Sequence, residues 1–98
     1  MLPKIDKITD VIAADDWSYK TRDGKGVVAH IEVGRPQPAP DDPNGDWYCP
    51  VFIEGFTPRI VPAMGVGPVD ALMNAITLVR TFGEKFGDHS PRGLEADK

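Results

Sequence analysis

Three kinds of side chain in this sequence could do chemistry: a thiol, an imidazole and paired carboxylates. Cys49 is the single cysteine and so the single candidate thiol nucleophile. Its alternation with Trp47, Val51 and Ile53 places it on the apolar side of a predicted strand, where burial raises a thiol's pKa and leaves it inert. A structural role is the expectation. His30 and Glu32 stand two positions apart on the opposite face of another predicted strand, a spacing that sets two metal ligands side by side. A metal site draws on three or four such groups, and the only other histidine, His89, lies in the polar C-terminal stretch. No metal, cofactor or catalytic residue is assigned on these grounds.

The carboxylates face a geometric test. If the strands holding His30 and Cys49 pair antiparallel at residue sums near 80, Ile31 faces Cys49, Glu32 faces Tyr48 and Val28 faces Phe52. Glu54 then lies near Gly26, about six residues or on the order of 20 Å from Glu32, too far for acid and base to share one bond. Asp15-Asp16 and Asp41-Asp42 read as solvated charge on turn-like segments. Gly65-x-Gly67 ahead of a helix start could cradle an anion. No lysine and no second strand–helix unit follow, so a capping turn is expected. Arg35 and Asp46 flank a proline-rich loop and are expected to close it as an exposed ion pair, contributing about 0.2–1 kcal/mol. Contact with a partner is the alternative.

These residues need elements to position them. Ten prolines and ten glycines punctuate the chain, and they gather where one apolar pattern ends and the next begins. Residues Val11 to Lys20 suit a first strand and Gly26 to Gly34 a second, with Val27, Ala29, Ile31 and Val33 on one face and Val28, His30 and Glu32 on the other. Asp23-Gly24 between them is a hairpin signal. A two-residue turn there puts Trp17 and Tyr19 on the outer face, and a three-residue loop through Lys25 puts them inside. The second is favoured because large aromatics belong in a small core. Arg35 to Gly45, with four prolines, reads as an exposed loop. A third strand spans Asp46 to Glu54, with Pro50 marking an edge or a bulge. A short fourth covers Arg59 to Met64.

A helix follows, opened by Gly67 and Pro68, with Asp70 in its first turn. Val69, Leu72, Ile76, Val79, Gly83 and Phe86 form its expected inner stripe at 100° per residue. Gly87 ends it, and residues 88–98 read as a mobile tail. The fold class is therefore α+β: one domain with an ordered core of about residues 9–87, in which an antiparallel sheet of about four strands (β-β-β-β-α) packs against one C-terminal helix.

At 98 residues there is room for one core only. Apolar residues at 41% and charged residues at 27% suit a globular chain, not a disordered one. The longest apolar stretch, Ile60 to Val69, is broken by prolines and glycines and falls short of a membrane span. The scattered charges near the N-terminus and the unpaired cysteine favour the cytoplasm. A net charge of −4 with no basic run argues against nucleic acid as a partner.

The order Gly34-Arg35-Pro36, then Asp46-Trp47-x-Cys49-Pro50 running into Ile53-x-Gly55, then Gly65 shortly before Ala71-Leu72, resembles a family of short bacterial proteins catalogued as a domain of unknown function. The resemblance covers roughly Val11 to Phe86. Where other members carry an acidic residue and a glutamine near the helix start, this chain has Gly67 and Asp70, so no shared role passes to those positions. The resemblance supports the fold and implies no activity.

One helix, about 10–12 Å across, cannot cover a four-stranded sheet roughly 19 Å wide. Apolar residues also remain on the outer face. The expectation is a non-catalytic binding or interaction module that forms a homodimer, through the sheet or through a helix flank bearing Ala71, Leu78 and Phe82. Val28, His30, Arg35, Asp46, Tyr48 and Phe52 make the candidate partner or ligand surface. The alternatives are a ligand-binding protein or enzyme using a groove between the 35–46 loop and the helix start, and an immunity or regulatory protein that pairs with another protein.

Overall fold

The computed structural model describes residues 3–21, 23–86 and 90–91. The elements are β1 (Val11–Lys20), β2 (Gly26–Gly34), β3 (Gln37–Pro38), β4 (Trp47–Ile53), β5 (Val61–Gly65), α1 (Pro68–Phe86) and β6 (Ser90–Pro91). All the strand pairings are antiparallel. The sheet runs β6-β1-β2-β4-β5, with β3 extending the β2 side of β4. The result is an α+β arrangement with one helix on one face. None of the described helices is long and apolar enough to cross a membrane.

Parity organises the core. The odd-numbered residues Ala29, Ile31 and Val33 of β2 and Cys49, Val51 and Ile53 of β4 are buried together with Ala71, Ala75, Val79 and Phe82 of α1. The hairpin between β1 and β2 closes with Thr21 N–H donating to the Lys25 carbonyl, and Gly24 adopts φ +84°. This is a three-residue loop, one position earlier than the sequence reading placed it, and its parity turns Trp17 and Tyr19 inward as expected. Both rings pack on Phe82, at centroid distances of 6.3 and 5.8 Å, and Phe56 joins them at 5.4 Å.

The inner stripe of α1 differs from the expected one. Ala71, Ala75, Val79 and Phe82 face the sheet, while Val69 and Ile76 are exposed. The helix is rotated by roughly 70° from the orientation of its bulkiest aliphatic residues, at 100° per residue. The reason is close approach. A Cβ on Gly65 would sit 2.7 Å from the Ala71 Cα, so the first turn of α1 lies directly on the end of β5 and only small residues fit between. The proposed dimer flank of Ala71, Leu78 and Phe82 is corrected by the same rotation: Ala71 and Phe82 are fully buried and Leu78 packs against the core.

Two prolines explain the middle of the sheet. Pro50 opposes Pro62 across β4 and β5, a position where neither residue could exchange an N–H bond. On its other side β4 pairs with β3 at Trp47 and Tyr48 and with β2 only from Val51 onward. Pro50 thus marks the change of partner within an interior strand, correcting its assignment to an edge or bulge. The 35–45 segment is likewise not all exposed loop. Gln37 and Pro38 pair with β4, Ala39 N–H donates to the Asp46 carbonyl, and Ala39 is buried. Most of the expected tail, 88–98, lies outside the described residues, and the backbone of Ser90–Pro91 pairs with Trp17 and Ser18.

Candidate functional site

The imidazole and the carboxylates of Asp16 and Glu32 meet on the sheet face opposite the helix, while the Cys49 thiol lies on the helix side. The register of β2 on β4 is Ile31↔Ile53, Glu32↔Phe52 and Val33↔Val51, four residues from the expected one. Parity allowed any even residue sum. Pairing of Gln37 and Pro38 at the start of β4 displaces β2 toward its far end. The shift overturns the separation of Glu32 from Glu54. Glu54 N–H donates to the His30 carbonyl at 2.9 Å, and His30 N–H donates to Glu54 Oε1 at 3.0 Å, so the carboxylate extends the ladder past the end of β4.

The His30 ring is held from both sides. Its Nδ1 lies 2.7 Å from Asp16 Oδ1, directly across the β1–β2 pair, and its Nε2 lies 2.9 Å from Glu32 Oε2, two positions along β2. A neutral imidazole has one donor, whereas two carboxylate acceptors call for two. Hydrogen bonds to Asp16 first and Glu32 second accordingly raise the His30 pKa. Because each nitrogen already faces a carboxylate, the ring has no lone pair directed at a substrate. The two carboxylates also lie on opposite sides of it and do not converge on a point. Among the described residues no group of three or more His, Cys, Asp or Glu is arranged to hold a metal ion. His89 lies outside the described residues.

Cys49 is buried, and its Sγ–H donates to the Gly34 carbonyl at 3.2 Å. Burial pushes the thiol up to about 11, so it is a core residue as expected and not a nucleophile. Arg35 does not pair with Asp46. Its Nε donates to Asp10 Oδ2 at 2.5 Å, while Asp46 stays within the loop, its N–H donating to Asp42 Oδ2. The four-residue register shift moved the loop ends apart, and the segment before β1 supplied the nearer carboxylate. At the helix start Val66 N–H donates to Asp70 Oδ2 at 3.0 Å, a capping contact as the Gly65-x-Gly67 pattern suggested.

The remaining residues of the sequence-derived surface do not form one patch. Val28 is exposed beside His30 on the open part of β2. Tyr48 and Phe52 line instead the cavities flanking residues 3–10, which run across the outer face and of which 3–8 are expected from sequence to lie outside the core. Ile8 seats in the space over Gly34 and against Pro50: a Cβ on Gly34 would come within 2.6 Å of both side chains. The i, i+3 spacing of Ile5 and Ile8 was the available signal. One side of this strap shares a cavity of about 280 Å³ with Gln37, Tyr48 and Pro50. On the other, a groove of about 970 Å³ opens between residues 3–8 and 58–62, with Glu32 and Phe52 contributing to its wall. This groove does not lie between the 35–46 loop and the helix start, where the sequence reading placed one.

A second feature is on α1. Val69, Met73 and Ile76 are 69%, 61% and 42% exposed, and their 4-3 spacing lines them along one side of the helix, with Val66, 82% exposed, in the bend just before it. Comparison with protein-family models, with curated proteins and with solved structures returns no match to this chain.

Proposed function

We propose that this chain is a non-catalytic interaction module that pairs with a second copy of itself through the outward side of α1. The observation that carries the reading is the exposed stripe of Val69, Met73 and Ile76, with exposed Val66 just ahead of the helix. The 4-3 spacing of that stripe is the seam by which two helices pack at a shallow angle. A two-fold axis beside Met73 sets Val69 of one copy against Ile76 of the other, so one patch suffices for both partners.

Each copy contributes four aliphatic side chains, and each contributes about 1.5–3 kcal/mol on full burial. The eight side chains of the pair supply about 12–24 kcal/mol, which exceeds the ~4–15 kcal/mol cost of association by about 8 kcal/mol at mid-range, so a micromolar dimer is expected, not a nanomolar one. The bound imidazole and the buried thiol favour this class over an enzyme. Light scattering and sedimentation at micromolar concentration test it: the wild type is expected to sediment as a dimer and Met73→Lys as a folded monomer. A wild-type monomer at these concentrations sinks the proposal. A complex with a different protein that Met73→Lys abolishes would replace self-pairing with the immunity or regulatory alternative.

A further inference from the structure

We propose that the outer groove is a binding site for an amphipathic organic anion, a molecule with an aliphatic body and a carboxylate or phosphate head. This inference concerns the sheet face remote from α1 and does not depend on self-pairing. The volume, about 970 Å³, falls in the range of small-molecule sites. Ile5, Ile8, Phe52, Ile60 and Val61 supply an apolar lining, drawn from the strap, β4 and the segment entering β5. An aliphatic chain buried there gains by leaving water, as any side chain does.

Charge selects the head group. The protein as a whole carries −4, yet the groove is lined by three cations, Lys4, Lys7 and Arg59, against two carboxylates, Asp6 and Glu32. Glu32 is already bonded to the His30 ring. Lys4, Lys7 and Arg59 form no ion pair among the described residues. An acidic chain that collects unpaired cations around an apolar groove presents local positive potential where the rest of its surface repels anions. A neutral aliphatic ligand would leave those cations unused, and a cationic one would be repelled.

Decanoate is the probe. Titration into the full chain, followed by methyl and aromatic NMR, is expected to give saturable shifts at Phe52, Ile60 and Val61 with Met73 unmoved. Lys7→Glu combined with Arg59→Glu is expected to weaken decanoate by at least about tenfold, or about 1.4 kcal/mol. Arg59→Gln alone, expected to cost about threefold, serves if the double variant does not fold. Decanol is expected to bind more weakly than decanoate in the wild type and equally well in the charge-reversed variant. Decyl phosphate separates the two head groups: comparable shifts at the same residues assign a general anion site, and decanoate binding alone assigns a carboxylate site. Three results overturn the proposal: no saturable shift into the millimolar range, decanol binding as tightly as decanoate, or shifts confined to Val69, Met73 and Ile76.

Discussion

The two faces of this sheet are closed by different means. On the inner face α1 satisfies its own backbone hydrogen bonds and offers only side chains, so it can settle onto the strands until Ala71 and Phe82 are fully buried. On the outer face the cover is the irregular strap of residues 3–10, whose backbone groups still need water or a partner. It anchors where Ile8 meets Gly34 and Pro50 and leaves the groove beside it open. A helix makes a closed core, and a strap of the same chain leaves an open recess. The odd residues of β2 and β4 therefore form the core, and their even neighbours Glu32 and Phe52 line the groove.

The largest expected effect tests the closed side. Phe82→Ala removes the ring on which Trp17, Tyr19 and Phe56 converge, and urea unfolding should show a loss of about 3–5 kcal/mol. Phe52→Ala, at the groove wall, should lose no more than about half of that, because the cavity already lies beside it. Equal losses would mean that the faces are equally packed. Gly65→Ala comes next. Its new methyl meets the Ala71 backbone, which cannot give way without moving the helix. A loss of about 1–3 kcal/mol in the same unfolding assay is expected, as for an overpacked core position.

Gly34→Ala is the outer counterpart of that change. Its methyl meets the tips of the Ile8 and Pro50 side chains, and Ile8 belongs to a strap that can lift. The stability cost should stay near about 1 kcal/mol, while trypsin cleavage after Lys4 and Lys7 accelerates. Unchanged cleavage would show that the strap is not seated there.

The smallest effect is the pH dependence of the outer cluster. The His30 pKa is raised above its ordinary 6.5 by Asp16 and Glu32. The stabilisation is therefore complete below about pH 6.5 and is lost as pH rises through the higher folded value. The stability gap between wild type and His30→Gln should narrow over that interval, and a gap independent of pH would remove the imidazolium from the account. The ring is more than a third exposed, so solvent screening keeps this gap small.

Much of this architecture was legible from residue type and alternation. The bounds of β1, β2 and α1 and the inward thiol follow from a period of 2 or 3.6 set against turn residues, and the inward Trp17 and Tyr19 from the bulk of their rings, since the turn alone allowed either side. Three features were not legible. The β2–β4 register needed the pairing of Gln37 and Pro38, which two prolines disguised as loop. The rotation of α1 was hidden because hydrophobic periodicity counts bulk, whereas the sheet accepted Ala71 and Ala75 at the place where Gly65 approaches. The strap beside Tyr48 and Phe52 carried only Ile5 and Ile8 as a sign.

Sequence by itself settled which residues of each strand share a side, since consecutive residues of an extended chain must point opposite ways. Only the tertiary structure decided which residues stand across from one another. Sliding one strand by two or four positions leaves every side chain on its own face, so alternation cannot detect it. That slide brought Glu54 to His30 and sent Arg35 to Asp10. The same reasoning applies to α1, whose apolar residues cover more of its circumference than one sheet can bury, and the fit of backbone against backbone chose the face.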